Sequence, residues 1–412
     1  MLHWRSDNIN APATFMPAPD TAQAPGSARA LTLSAYAAFV PIGIVTVLLG
    51  PMLPTLSARW SLNYSQAGVL FTVQYLAATV AVALSGWLIA RRGYRFAMKA
   101  GLLLVTAGIA LLLAGSKALG MVCIAAYGIG LGMAVPAANL LVAEVNPRRR
   151  SASLNTLNFC WSAGAVACPF LVAAAAKSLR IPVLLYLVAG FSFLVAVGIA
   201  AMPASIVEPA VSVDGAQQSP RIDWRNRALP VLGILFFVYV GTENSFGLWV
   251  ASYAKSLGTL TLTMALMTPS FFYASLMLGR WLAPLLLRTL DDVRLVQVGL
   301  LVACAGMVGL VLSHNLPGVV ASASLAGLGL SAVYPITISL MSREFGMAAS
   351  RVGSVMFTLS NLGGGSLPWM VGVASTRFGT LKAGLAVPLL GSVAMFFLYL
   401  QDWKPAPAEQ PV

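Results

Sequence analysis

The stretch GWLIARRGYRFAMKAG, Gly86 to Gly101, separates two long apolar runs by one short basic turn. Gly93 supplies the backbone freedom that a tight turn needs. Arg91, Arg92 and Arg95 place cations beside the ends of the apolar runs. Outward from this turn, the same alternation of long apolar run and short polar break fills most of the chain. The 412 residues are 58% hydrophobic and 9% charged, against about 25% charged in a typical soluble domain. Too few polar side chains exist to cover a water-facing surface, so lipid is the expected solvent for most of the protein.

A bilayer-crossing helix needs about 20 mostly apolar residues. Twelve runs meet that length, at 31–56, 65–90, 96–116, 118–143, 154–176, 181–202, 229–254, 268–287, 293–313, 317–342, 352–375 and 382–401. They are too long for barrel strands and do not alternate with period two. The longest polar break, Pro203 to Arg227, falls after the sixth run. The expected fold is an all-α membrane protein of twelve transmembrane helices, arranged as two pseudo-symmetric six-helix bundles. Its parts are a flexible cytosolic tail 1–30, a first bundle 31–202, a cytosolic linker 203–228, a second bundle 229–401 and a short cytosolic tail 402–412. The first thirty residues have no apolar core of the kind a signal peptide carries.

The halves repeat. A shift of 199 residues carries Gly128, Gly130, Pro136, Ser151, Gly164 and Pro169 onto Gly327, Gly329, Pro335, Ser350, Gly363 and Pro368. Parallel duplicated halves are a recurrent transporter plan. Of the 25 Lys and Arg residues, seventeen fall on the side of the termini, seven fall on the other side, and Arg280 lies inside the eighth run. By the positive-inside rule the termini and linker are expected in the cytosol, which for a multi-pass protein of this kind implies the plasma (inner) membrane.

Other classes are poorly served. The net charge of +13 comes in short bursts between apolar runs, so nucleic acid is not an expected partner. Cys123, Cys160, Cys168 and Cys304 all lie in apolar runs and read as packing residues. With His3 and His314 as the only histidines, neither a metal site nor a cofactor is expected. No nucleophile–base pair or phosphate loop suggests an enzyme. The expected partners are a small-molecule substrate, protons and the lipid bilayer, with the protein acting as a monomer.

The spacing of Gly86, Leu88, Arg91, Gly93 and Arg95 resembles the signature loop of the major facilitator superfamily, which runs roughly G-x-L-A-D-R-x-G-R-K. Ala90 replaces the family's acid and Tyr94 its next basic residue. The resemblance implies that Gly86, Arg91, Gly93 and Arg95 form a conformational-gate motif, holding cytosolic helix ends together in one state and releasing them in the other. The missing acid leaves the charge lock, not the fold, in question. Four further patches resemble the sugar-permease branch with fucose and glucose/galactose permeases. They are LLGPMLPTLSARWSLNYSQAGVLFTVQYL, YVGTENSFGLWVASY, AANLLVAEVNPRRRSASLNTLNF and NLGGGSLPWMVG. In the fucose permease, acids in spans one and four serve proton and sugar. Here span one has none and the span-four position is Val135, so that chemistry does not transfer.

Attention moves to Glu243, the one acid well inside a run. Buried polar groups in lipid are costly and gather where water or solute reaches them. Tyr239 lies one turn earlier on the same face, with Asn244, Thr242 and Trp249 nearby. A carboxyl alternating between dry and wet surroundings suits a proton carrier. A structural acid, or a partner for Arg280, is the competing reading. Arg280 either snorkels to the interface or pairs with Glu243. The family's cavity is implied to be lined by spans one, four, seven and ten, with parts of two, five, eight and eleven. Candidate substrate-binding residues are therefore Gln74, Asn139, Asn158, Trp161, Tyr239, Asn244, Tyr273, Tyr334 and Asn361. Gln74 and Tyr75 lie together in span two, and Asn155, Asn158 and Ser162 share one face of span five. Amides match sugar hydroxyls without carrying charge, although each can equally hold two helices together.

The function expected from these features is secondary transport of a small polar solute, a sugar first, by alternating access with protons carried by Glu243. An efflux antiporter for amphipathic compounds and an uncoupled facilitator are the alternatives.

Overall fold

The computed structural model describes residues 25–178, 180–202 and 225–401. Most of the expected tails and linker lies outside the described residues. The first rod is α1 (Pro25–Val47) followed by α2 (Leu49–Trp60). Five single-helix rods follow: α3 (Tyr64–Arg92), α4 (Tyr94–Ala110), α5 (Lys117–Val145), α6 (Arg150–Lys177) and α7 (Ile181–Ala200). The second set opens with α8 (Ala228–Ser256), α9 (Leu262–Leu286) and α10 (Asp292–Leu312). It closes with α11 (Leu316–Leu330) joined to α12 (Val333–Phe345), α13 (Ala349–Phe378), and α14 (Leu381–Gly384) joined to α15 (Ala386–Leu398). Twelve rods match the twelve runs. Ten of these stretches are long and apolar enough to cross a membrane; α4 and α13 complete the set.

Three rods are jointed where the sequence reading expected continuous spans. Proline lacks an N–H and its ring strikes the carbonyl four residues earlier. Pro51 lies four residues beyond Val47, the last residue of α1, and Pro388 four beyond Gly384, the last of α14. Pro335 faces the Ser331 carbonyl in the gap between α11 and α12. By contrast, Pro136, Pro169 and Pro368 sit inside α5, α6 and α13 without breaking them.

The Gly86–Gly101 turn is as tight as its spacing implies. Gly93 has φ +81°, in the region that favours glycine, and joins α3 to α4 with no loop between. Arg95 reaches across to the end of α7, donating to the carbonyls of Ile199 at 3.1 Å and Met202 at 2.8 Å. Ile199 lies in the last turn of α7 and Met202 two residues past its end, so the contact caps α7. Arg91 lies over the Trp87 ring at 4.6 Å.

The repeated glycines serve the same contacts in both sets. A side chain at Gly101 would meet the Gly130 carbonyl at 2.6 Å, and one at Gly299 the Gly329 carbonyl at 2.6 Å. Gly128 presses on Gln74 as Gly327 presses on Phe272; Gly164 lies against Val40 and Gly363 against Phe237. Rods four and two, three and four, and one and five of the first set thus pack as their counterparts do in the second. Close backbone approach through small residues is the usual adhesive between membrane helices.

Among the described residues, the contacts between the two sets gather at the end away from the Gly86–Gly101 turn, the far end. There Ser65 N donates to Thr376 Oγ1 at 2.9 Å and Thr72 Oγ1 to the Gly365 carbonyl at 2.9 Å. Ser270 Oγ donates to the Val166 carbonyl at 2.9 Å, beside an edge-on pair of Phe170 and Phe271 at 5.8 Å. Phe71 of α3 meets the buried Trp249 of α8 at 5.8 Å. Toward the basic end, Asn155, Thr156, Asn158, Ser354 and Thr358 are exposed. Exposed polar residues at membrane depth mark a water-accessible space, so the cavity opens toward the basic end and is sealed at the far end.

Two substitutions separate packing from state. Gly299→Val, within the second set, is expected to cost about 1–3 kcal/mol by overpacking and to lower the thermal midpoint in detergent. Gly68→Val would place a side chain 2.9 Å from the Trp369 Cα across the far-end seam. It is expected to lengthen spin-label distances between the far ends of α3 and α13, with each set intact. Unchanged distances would contradict the assignment of that seam.

Candidate functional site

Glu243 lies about 22 Å along α8 from Ala228, at 1.5 Å per residue. Arg280 lies on α9, about 9 Å before its last residue by the same measure. Its Nη2 sits 3.4 Å from Glu243 Oε2 and donates to the Tyr239 hydroxyl at 3.4 Å. The two charged side chains are 28% and 13% exposed. They are neither sealed nor at the surface, which is what a pair lining an open cavity requires. Of the readings open for Arg280, pairing is the one observed; it does not snorkel.

The pair is loosely held. One guanidinium nitrogen makes both contacts at the long end of hydrogen-bond range. Arg280 Nε is buried with no partner among the described residues. At the basic surface, Arg343 and Asp292 approach to 2.6 Å, the short separation expected of a firm charge-assisted bond. Tyr239 is buried, and the Tyr334 ring stacks on it with centroids 5.4 Å apart and planes at 26°. Phe236 packs edge-on against Tyr334 at 5.7 Å. The pair therefore has an aromatic wall on one side.

The next residue links this site to the far-end seam. Asn244 Oδ1 accepts from the Tyr75 hydroxyl of α3 at 2.8 Å, and Asn244 Nδ2 donates to the Val240 carbonyl at 2.9 Å. A side chain at Gly364 would lie 2.8 Å from the Tyr75 ring and 3.2 Å from Asn244 Nδ2. Only glycine leaves room for this bridge between the two sets.

The other candidates divide. Tyr239, Asn244 and Tyr334 gather at the pair. Tyr273 is buried on α9, and its hydroxyl has no partner among the described residues. Gln74 is buried within the first set, donating to the Thr46 carbonyl at 3.2 Å and accepting from Tyr127 OH at 3.3 Å. Trp161 Nε1 donates to Thr46 Oγ1 at 3.4 Å. Asn139 and Asn158 donate to carbonyls one turn back, Val135 and Leu154, at 2.9 Å each, and Asn158 is exposed. Asn361 is half-buried on α13. Trp249 donates to the Pro368 carbonyl at 2.9 Å and is a packing residue of the seam. Thr46, which holds both Gln74 and Trp161, escaped the sequence reading because a threonine in an apolar run gives no signal.

Comparison with known proteins agrees with this architecture. The sequence profile of the Major Facilitator Superfamily matches residues 35–368. A glucose/galactose transporter of Brucella abortus biovar 1 (strain 9-941) is 26% identical over 360 residues, covering 82% of this chain and 85% of that protein. Among solved structures, the D-xylose-proton symporter superposes with a TM-score of 0.72 at 17% identity, covering 92% of this chain and 98% of that one. The nucleoside transporter NupG gives a TM-score of 0.73 at 12% identity, covering 91% and 99%.

Removing one member of a buried ion pair strands the other charge. Glu243→Gln and Arg280→Gln are each expected to lower thermal stability in detergent more than the double variant does. Because the pair is partly exposed, the coupling expected from the cycle is about 1 kcal/mol or somewhat more. Strictly additive losses would contradict a direct interaction.

Proposed function

This chain belongs to the Major Facilitator Superfamily, a transporter family and not an enzyme, and we propose that it carries a sugar across the inner membrane with protons bound at Glu243. The observation that carries this reading is the Glu243–Arg280 pair, placed at membrane depth and partly exposed to the cavity. A carboxylate there is tolerated because Arg280 compensates it. Protonation removes that compensation and releases the guanidinium, so proton binding alters the site's charge and its contacts together.

The proposed route is alternating access. The six rods up to residue 202 and the six from 229 act as two bundles that rock about the central site. The far end is the outer face and the basic end the cytosolic one, with both termini in the cytosol. The state described is then inward-facing. Tyr239, Asn244, Tyr273 and Tyr334 form the proposed core of the solute site. Asn139, Asn158, Trp161 and Asn361 take a wider role once the bundles move, and Gln74 contributes through Thr46 and Trp161. Hydroxyls, amides and aromatic faces suit a polyhydroxylated ring. The glucose/galactose transporter, the D-xylose-proton symporter and the nucleoside transporter to which this chain is similar are named for solutes that carry such a ring. Gly86, Arg91, Gly93 and Arg95 are the proposed hinge at the cytosolic end, with Arg95 tying α4 to α7 as that end opens and closes. The protein works as a monomer in this scheme.

Uptake into proteoliposomes tests the reading. With labelled glucose, galactose and xylose, an inward pH gradient is expected to drive accumulation by the wild type. Glu243→Gln is expected to abolish accumulation while leaving exchange of labelled for unlabelled solute. Equal gradient-driven accumulation by both proteins would remove Glu243 from the proton path.

A further inference from the structure

Two features remain unexplained by a neutral sugar. The first is Arg280. Holding a guanidinium within a membrane-spanning helix is costly. A neutral solute has no need of one. Yet Arg280 is present, meets Glu243 through one nitrogen at 3.4 Å and leaves its buried Nε without a partner among the described residues. A planar five-donor fork used through a single nitrogen retains donors for a second, bidentate partner.

The second feature is the charge of the far face. Arg59, Lys117, Lys177, Arg180, Lys255, Arg377 and Lys382 fall there. None of the twelve acidic residues does: apart from Glu243, all lie in the tails, the linker or the ends and loops of the basic face. The positive-inside rule accounts for the larger number of basic residues on the other face, but it says little about acids. A face with cations alone attracts anions and raises their encounter rate. One charged side chain, Lys255, lines a far-end cleft of about 320 Å³ among Pro54, Thr55, Ala58, Ala176, Ile181 and Leu262.

We propose that the solute is a hydroxylated monocarboxylate, a sugar acid, whose carboxylate replaces that of Glu243 on Arg280. The inference rests on the transporter reading above, with Glu243 as proton carrier, and deepens it by naming the substrate's charge. The site is neutral when empty, as Arg280 and Glu243 cancel. A proton from water neutralises Glu243, and the incoming carboxylate takes its place on the guanidinium. The loaded site is again neutral. Both forms then cross between the two faces without moving net charge through the low-dielectric centre, where an unpaired charge is most costly. A neutral sugar bound with a proton leaves Arg280 uncompensated. The titratable groups around Glu243 are Arg280 and Tyr273 on α9, Tyr239 on α8, Tyr334 on α12 and Tyr75 on α3. Arg280 is the one within ion-pair reach among the described residues.

The test is uptake by the full-length protein in proteoliposomes, using labelled galacturonate, gluconate and galactose under an inward pH gradient. A potassium–valinomycin clamp sets the membrane potential independently. At least one acid is expected to accumulate, at a rate indifferent to the potential, with galactose competing about tenfold or more weakly. Arg280→Gln is expected to weaken binding of the acid about tenfold or more, with partial rescue by Arg280→Lys. As Arg280→Gln removes a structural partner, Glu243→Gln supplies the second arm. It is expected to retain exchange of the acid, now independent of pH, and to lose accumulation. Galactose uptake with neither acid entering overturns the inference and leaves the sugar reading standing. Absence of flux with any of the sugars or acids sinks both. Acid uptake that follows the potential, or loss of exchange in Glu243→Gln, overturns the charge replacement.

Discussion

The pairing of Arg280 with Glu243 is the interaction on which the rest of the site depends. Charge inside a bilayer is tolerated when it is cancelled and reachable by water. The pair meets both conditions, lying between two rods of the second set with its side chains partly open to the cavity. Long, single-nitrogen contacts make it a pair that can be exchanged rather than a fixed brace. The stacked Tyr239 and Tyr334 rings limit where the guanidinium can go. Glu243, Arg280, Tyr239 and Tyr334 therefore form one connected cluster.

The site is also joined to the fold's larger asymmetry. Glu243 is followed by Asn244, whose side chain is held by Tyr75 from the other set. That bridge is the innermost of the contacts that close the far end, continuing outward through Thr72–Gly365 and Ser65–Thr376. Glu243 thus lies one residue from the seam that closes the far end. Packed seams of this kind have discrete open and closed arrangements rather than continuous ones. The repeated glycine contacts pack the helices within each set closely.

Much of this was legible in the sequence, and the exceptions have physical reasons. Run length fixed the twelve rods, and the Gly86–Gly101 spacing located the tight turn that Gly93 makes. Glu243 stood out because an acid in an apolar run is rare. The joints were not legible. Proline ends the preceding helix near Val47 and Gly384, yet Pro136, Pro169 and Pro368 are absorbed in continuous helices, a difference set by neighbouring rods. The amides of Asn139 and Asn158 bond carbonyls of their own helices, an option that spacing alone does not reveal. Pairing and snorkelling of Arg280 were indistinguishable until the distance between α8 and α9 was fixed.

The central claim is that Glu243 takes up a proton as solute binds and gives up its hold on Arg280. Infrared difference spectroscopy of the membrane-reconstituted protein reads this directly. Adding a transported solute should produce a protonated-carboxyl band in the wild type, absent from Glu243→Gln. A difference spectrum with no carboxyl band in the wild type, or the same band in both proteins, would contradict the account.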